Sequence, residues 1–147
     1  MINETEKTAC DKRIGIAGCG SMGLPMLQTL LANNIKVKGY DIRHQDDFHS
    51  IKEHFMESKI EFIKQSEIIF SIVRDEGETL ELCEGKNGLF SVRDKKIIVI
   101  CSTLSPKFIE NLKRKAPVNI ELLDAPMSGA SIAAKEARLT FMVGSTR

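Results

Sequence analysis

The chain has 147 residues, room for one ordinary domain with a real core and none for a second. Its 21 Lys and Arg nearly cancel its 20 Asp and Glu, so it lacks the basic excess that binding to a phosphate backbone produces, and nucleic acid is not an expected partner. The longest apolar runs, residues 68–73 and 97–101, fall far short of the ~18 residues of a membrane span, so no membrane is expected either.

The opening MINETEKTACDKR carries charge throughout and no apolar stretch, which reads as neither a signal peptide nor a transit sequence; a cytoplasmic protein is expected. Residues 1–12 read as a disordered tail and 13–147 as the folded domain. From there, short runs rich in Ile and Val alternate with longer amphipathic segments, the pattern of βαβ units in an α/β fold. Strands are predicted at 13–17, 36–40, 67–73, 96–101, 119–123 and 139–143, with a short extra one near Phe55 and Met56. The first helix is predicted from Ser21 to Asn33, with Leu24, Leu27, Leu30 and Leu31 as its apolar stripe and Asn34 as a left-handed cap. Ser58-x-x-Glu61 reads as a capping box opening a helix through Gln65, and Ser105-Pro106 as the N-cap and first turn of another. His44, His49 and His54 recur every five residues, a step of about 140° on a helix, so they do not share the face that a zinc pair at i, i+4 needs. Cys10, Cys19, Cys83 and Cys101 form no C-x-x-C pair and have no histidine at zinc spacing; they read as free thiols, and no metal is expected.

Directly after the first strand stands Gly18-Cys19-Gly20-Ser21-Met22-Gly23, the G-x-G-x-x-G spacing, with a helical pattern beginning inside it. Gly18 permits a tight turn, Gly20 leaves no side chain between the backbone and a pyrophosphate, and Gly23 lets helix and strand pack closely. Free amides at the helix start, with the positive end of its dipole behind them, then face the phosphates. Asp41 ends the second strand 18 residues beyond Gly23, close to the ~20 expected of a carboxylate that accepts hydrogen bonds from an adenosine ribose. Such a carboxylate repels a 2′-phosphate, so NAD is expected over NADP; Arg43, two residues on, can soften that repulsion. The architecture expected is Rossmann-type: a doubly wound, mostly parallel sheet with helices on both faces. These residues alone leave a second reading open, an S-adenosylmethionine methyltransferase, which also uses a Gly-rich loop and an acidic residue after its second strand.

The later sequence separates the two. Residues 14–26, IGIAGCGSMGLPM, resemble the opening of the β-hydroxyacid dehydrogenase family, which includes 3-hydroxyisobutyrate, tartronate semialdehyde and L-threonate dehydrogenases; the Met-Gly-x-Pro-Met continuation is far more specific than the glycines. Ser71-Ile72-Val73-Arg74 is similar to the family's strand end over the dinucleotide, with Val73-Arg74 where Leu-Pro is frequent. Ser102-Thr103-Leu104-Ser105-Pro106 is similar to an S-T-x-x-P element whose hydroxyl lies near the nicotinamide ribose. Asp124-Ala125-Pro126-Met127-Ser128-Gly129 is similar to the D-A-P-V-S-G substrate loop, and residues 139–144 to the strand that follows it. The resemblance covers residues 13–144. It places Gly18, Gly20, Ser21, Met22, Gly23, Asp41, Arg43, Val73, Arg74 and Thr103 at the cofactor, and Ser128, Gly129 and Ala130 at the substrate. The family has Gly where this chain has Ala130, Ala133 and Ala137, Thr where it has Arg138, and Asp where it has Ile100, which puts the shape of the substrate loop in question.

The resemblance implies hydride transfer between a nicotinamide and a small hydroxyacid, helped by a lysine from a helical domain beyond Arg147 that also supplies the homodimer interface. The expectation is therefore the cofactor half of a longer dehydrogenase, inactive alone, with a stand-alone dinucleotide-binding or sensing module as the alternative. Plainer roles are expected for the remaining candidates. Ser105 caps a helix, Lys135 is a solvated helix residue and not a base, and Met22 and Met26 pack the loop.

Overall fold

Strands β1 (Ile14–Ala17), β2 (Val37–Tyr40), β3 (Ile68–Ser71), β4 (Lys96–Ile100) and β5 (Ile120–Asp124) pair into one parallel sheet in the order β2-β1-β3-β4-β5. The computed structural model describes residues 11–144. Ala17 lies in register with Tyr40 on one side and Ser71 on the other, so β1, β2 and β3 finish level at one edge of the sheet. Beyond β2, Phe55 forms a single parallel bridge to Gly39, and the Met56 amide donates to the Gly39 carbonyl at 2.9 Å. Counting that bridge as a strand gives the 3-2-1-4-5-6 order of doubly wound dinucleotide folds. The extra strand predicted near Phe55 and Met56 is thus one bridge long, because Ser58 already caps the next helix by accepting the Glu61 amide.

Alternate side chains of each strand go to opposite faces. On one face Ile69, Ile98, Ile100 and Leu122 meet Phe62 and Ile63 of α2 (Lys59–Gln65), Leu82 and Cys83 of α3 (Glu76–Cys83), and Ile109 and Leu112 of α4 (Pro106–Lys115). On the other, Ile14, Ile16 and Val37 meet Leu27 of α1 (Gly23–Ala32) together with Phe48 and Ile51. These last two come from Gln45–His54, a 3₁₀ segment kinked at both apolar residues, which turns them inward while His49 stays exposed. Fully burying side chains such as Phe62 or Leu27 contributes about 1.5–3 kcal/mol each.

The helix ends follow the sequence signals. Asn34 adopts φ 60°, its amide donating to Leu31 and that of Ile35 to Leu30, a Schellman closure of α1. Ser105 accepts the Phe108 amide at 3.3 Å with Pro106 at the first turn of α4. The first helix starts at Gly23 and not at Ser21, since Ser21 and Met22 form the turn that leads into it. The Lys96 ammonium is buried and donates to the carbonyls of Ser66 at 2.7 Å and Lys64 at 3.2 Å, closing the end of α2. Of the tail expected at residues 1–12, positions 1–10, Cys10 included, lie outside the described residues; Lys12 pairs with Glu67 at 3.4 Å.

The last predicted strand is placed differently. The strand expected at 139–143 does not join the parallel sheet: β7 (Thr140–Phe141) pairs antiparallel with β6 (Met127–Ser128) in a separate ribbon, with α5 (Ser131–Lys135) between them. A parallel pairing needs a crossover of about a dozen residues or more, and the short turn through α5 returns the chain alongside its own start. Gly144 reaches the main sheet through an antiparallel bridge to Asp124, and the Phe141 ring stands edge-on to Phe70 of β3 with centres 6.5 Å apart.

Candidate functional site

The turn from β1 into α1 is fixed by close packing on two of its glycines and left open at the third. Gly18 has φ +95°, its amide donates to the Tyr40 carbonyl at 2.8 Å, and a Cβ there would lie 2.5 Å from the Ile72 carbonyl oxygen. A Cβ on Gly23 would stand 1.8 Å from the Gly18 oxygen, so helix and strand touch backbone to backbone. A Cβ on Gly20 would meet nothing within 4 Å. The amides of Gly20, Ser21 and Met22 have no acceptor among the described residues, and no side chain caps α1. A helix start with donors facing open space is a ready seat for an anion.

A cavity of about 620 Å³ opens beside this turn, at the carboxyl ends of β1, β2 and β3. Gly18, Gly20, Asp41, Arg43, Val73 and Arg74 all line it, so six of the residues chosen from sequence converge. Ser21, Met22 and Gly23 belong to the adjoining turn and not to the cavity wall. Thr103 is exposed on the loop after β4, outside the wall, although the neighbouring Ser102 hydroxyl donates to the Val73 carbonyl and ties that loop to it. Ser128, Gly129 and Ala130 are exposed at the end of β6 and also lie outside the wall.

Sequence reading missed the far wall, made by Lys59 at the start of α2 and by Gly77, Glu78, Glu81 and Leu82 of α3. A signal for α3 was present: Asp75 is an N-cap whose carboxylate accepts the Glu78 amide at 2.9 Å. Gly77 inside the helix and its weak apolar stripe hid it. Lys59 is only 14% exposed and donates to the Glu81 carboxylate at 2.9 Å, bracing this wall.

Asp41 and Arg43 meet directly. The carboxylate Oδ1 accepts the Arg43 amide and its Nε, each at 3.0 Å; Oδ2 accepts the Cys19 amide at 2.8 Å and Arg43 Nη2 at 3.3 Å. Partial burial opposes the charge on Asp41, but the hydrogen bonds from Arg43 and Cys19 outweigh it and hold the carboxyl below its ordinary range. The guanidinium also donates to the Cys19 carbonyl at 3.1 Å and lies 4.8 Å over the buried Phe48 ring. Burial first, and then the Asp41 charge, push the Cys19 thiol up to about 12, so it stays protonated at neutral pH and is no nucleophile.

Residues 13–147 match the family described as the NAD binding domain of 6-phosphogluconate dehydrogenase. The chain belongs to this family. As a member of it, the chain is an NAD-binding domain. Among curated relatives, mouse mitochondrial 3-hydroxyisobutyrate dehydrogenase is 27% identical over 135 residues, 89% of this chain and 40% of that protein. The 2-hydroxy-3-oxopropionate reductase of Escherichia coli K12 is 33% identical over 142 residues, 90% of this chain and 46% of that protein. A solved structure of Mycobacterium tuberculosis 3-hydroxyisobutyrate dehydrogenase with L-serine superposes with a TM-score of 0.78 at 25% identity, covering 92% of this chain and 47% of that one. The chain therefore spans under half the length of these hydroxyacid dehydrogenase relatives. No helix among the described residues is long and apolar enough to cross a membrane.

Proposed function

We propose that this chain is the cofactor-holding part of a hydroxyacid dehydrogenase and that it binds NAD(H) on its own without turning over a hydroxyacid. The observation that carries this is the α1 start, where a Cβ on Gly20 would meet nothing within 4 Å and the amides of Gly20, Ser21 and Met22 have no acceptor among the described residues. Those amides take the pyrophosphate, and the cavity walled by Asp41, Arg43 and Leu82 takes the adenosine. Val73 and Arg74 lie on the path from there toward the loop after β4, where Thr103 meets the nicotinamide ribose. When bound, the nicotinamide accepts or donates the hydride.

The substrate role given to Ser128, Gly129 and Ala130 rests on their place at the end of β6 and on the activities for which the relatives are named. These residues can hold a carboxylate or hydroxyl by hydrogen bonds, but hydride transfer also moves a proton at the substrate oxygen, and help with that proton is worth about 10²–10⁴ in rate. The basic side chains nearest in sequence are poor candidates. Lys135 is exposed at the end of α5, and Arg138 is paired with Glu136. In this proposal the proton-transfer group is the lysine that the family resemblance puts on a helical domain beyond Arg147, and that domain makes the homodimer. A cytoplasmic location and the lack of nucleic acid and membrane partners, read from charge and composition, belong to this proposal.

The test is hydroxyacid-dependent reduction of NAD by the purified chain, with C3 and C4 hydroxyacids as substrates. No turnover above background is expected. Robust NADH production would overturn the division of labour and require a proton-transfer group within the 147 residues of the chain.

A further inference from the structure

The usual role of a carboxylate at the end of the second strand is to accept hydrogen bonds from the adenosine ribose. In this chain that carboxylate is already full. A carboxylate offers about four acceptor positions, and Asp41 meets four donors: the Arg43 amide and Nε on one oxygen, the Cys19 amide and Arg43 Nη2 on the other. Its side chain is only 10% exposed, whereas that of Arg43 is 51% exposed. The donor count on Arg43 runs the other way. Of its five N–H groups, Nε is used on Asp41 and Nη2 is shared between Asp41 and the Cys19 carbonyl; Nη1 has no acceptor among the described residues. The guanidinium is not a loose surface group, since it lies on Phe48, which is buried and stacked on Phe55 with ring centres 4.6 Å apart.

We propose that Arg43, and not Asp41, decides which dinucleotide this chain takes: the ion pair withholds the carboxylate from the ribose diol and presents a fixed guanidinium edge to a 2′-phosphate, so that NADP(H) is accepted alongside NAD(H). This rests on the dinucleotide reading of the cavity. The charge on Asp41 is neutralised locally by a partner in bidentate contact, which removes most of the repulsion that would exclude a 2′-phosphate. The free Nη1 edge supplies a charge-assisted donor pair in its place. The depressed ionisation of Asp41 fits the same picture, because the carboxyl stays charged and paired throughout the neutral range.

The test is calorimetric titration of the full chain with NADH, NADPH and 2′,5′-ADP, for the unmodified protein, Arg43→Ala and Asp41→Asn, with a thermal melt to show that each variant is folded. The unmodified chain is expected to bind NADH and NADPH within about tenfold of each other. Arg43→Ala frees the carboxylate and removes the guanidinium, so the NADPH-to-NADH affinity ratio falls by about tenfold or more and 2′,5′-ADP weakens with it. Asp41→Asn leaves NADH within about threefold, because the ribose was not held by that carboxylate. Three results would overturn the proposal while leaving the dinucleotide reading intact. They are an unmodified chain that prefers NADH by about 100-fold, an unchanged ratio in Arg43→Ala, or an Asp41→Asn variant that loses NADH about tenfold. If the folded, unmodified chain bound none of the three ligands, the dinucleotide reading would fall and the proposal with it.

Discussion

The β1–α1 turn and the β6–α5–β7 segment carry the two halves of the expected chemistry, cofactor and substrate, and they are held in different ways. The turn is specified by its own chain: backbone packs against backbone at Gly18 and Gly23, Asp41 reaches across to the Cys19 amide, and Cys19 itself is buried. The later segment is two strands of two residues each around a five-residue helix. It leaves Ile132, Met142 and Val143 more than half exposed and ties back to the rest through the Thr29 hydroxyl, which donates to the Ala134 carbonyl at 2.9 Å, the Phe141 ring edge-on to Phe70, and the Gly144 bridge to Asp124. Shape at the cofactor is thus built in, whereas shape at the substrate loop rests on few internal contacts.

Substitution should break the two regions to different degrees. Gly23→Ala forces a methyl group into the Gly18 carbonyl, where backbone on both sides prevents relief; a loss of about 3 kcal/mol or more is expected, read from chemical denaturation. A loss under about 1 kcal/mol would mean that the turn is softer than its contacts imply.

Ala137→Gly sharpens the contrast from the other side. Ala137 holds φ 54°, a left-handed conformation that its Cβ disfavours, because the Arg138 amide must close α5 onto the Ala133 carbonyl. Glycine at this position should stabilise the chain by about 1 kcal/mol, and destabilisation on the same assay would show that the strain is not real. The position is one of the three where the family resemblance led to glycine being expected; the left-handed turn persists with alanine in it.

A smaller effect should appear with acid, at the opposite end of the sheet from the cavity. Glu67 accepts first the Arg13 amide at 3.0 Å, then Arg13 Nε at 3.3 Å and Lys12 Nζ at 3.4 Å, and these donors push its carboxyl from 4.5 down to about 2. A carboxyl depressed on folding contributes stability that is complete above its ordinary value of 4.5 and is lost as pH falls toward 2. Melting temperature followed across that window should fall less steeply in Glu67→Gln than in the unmodified chain. Parallel slopes would show that this cluster does not anchor β1.

What the sequence made legible follows from how local each signal is. Strands β1 to β5, the Asn34 closure and the Ser58 and Ser105 caps depend on neighbours within a few residues, and each is found at its predicted place within a residue or two. The Gly-rich turn was legible for the same reason. What stayed hidden depends on tertiary partners: the Lys59 to Glu81 brace, the far wall from α3, and the folding of Arg43 onto both oxygens of Asp41. Sequence spacing put Asp41 and Arg43 in the same place but could not say that they consume each other. The strand expected at 139–143 is present, shortened to Thr140–Phe141, but its partner was not legible, because an exposed ribbon and a buried strand share the same apolar composition over so short a run.

The central claim, that this chain alone seats a dinucleotide across the open glycine of the β1–α1 turn, is tested most directly by titrating NADH into the unmodified chain and into Gly20→Val while following both heat and melting temperature. Because a Cβ at Gly20 meets no protein atom within 4 Å, the variant should keep its stability to within about 0.5 kcal/mol. The added side chain stands between the amides and the pyrophosphate, so NADH binding should be saturable in the unmodified chain and weaker by about 100-fold in the variant. Equal affinity in the two proteins, or no binding by the folded, unmodified chain, would contradict it.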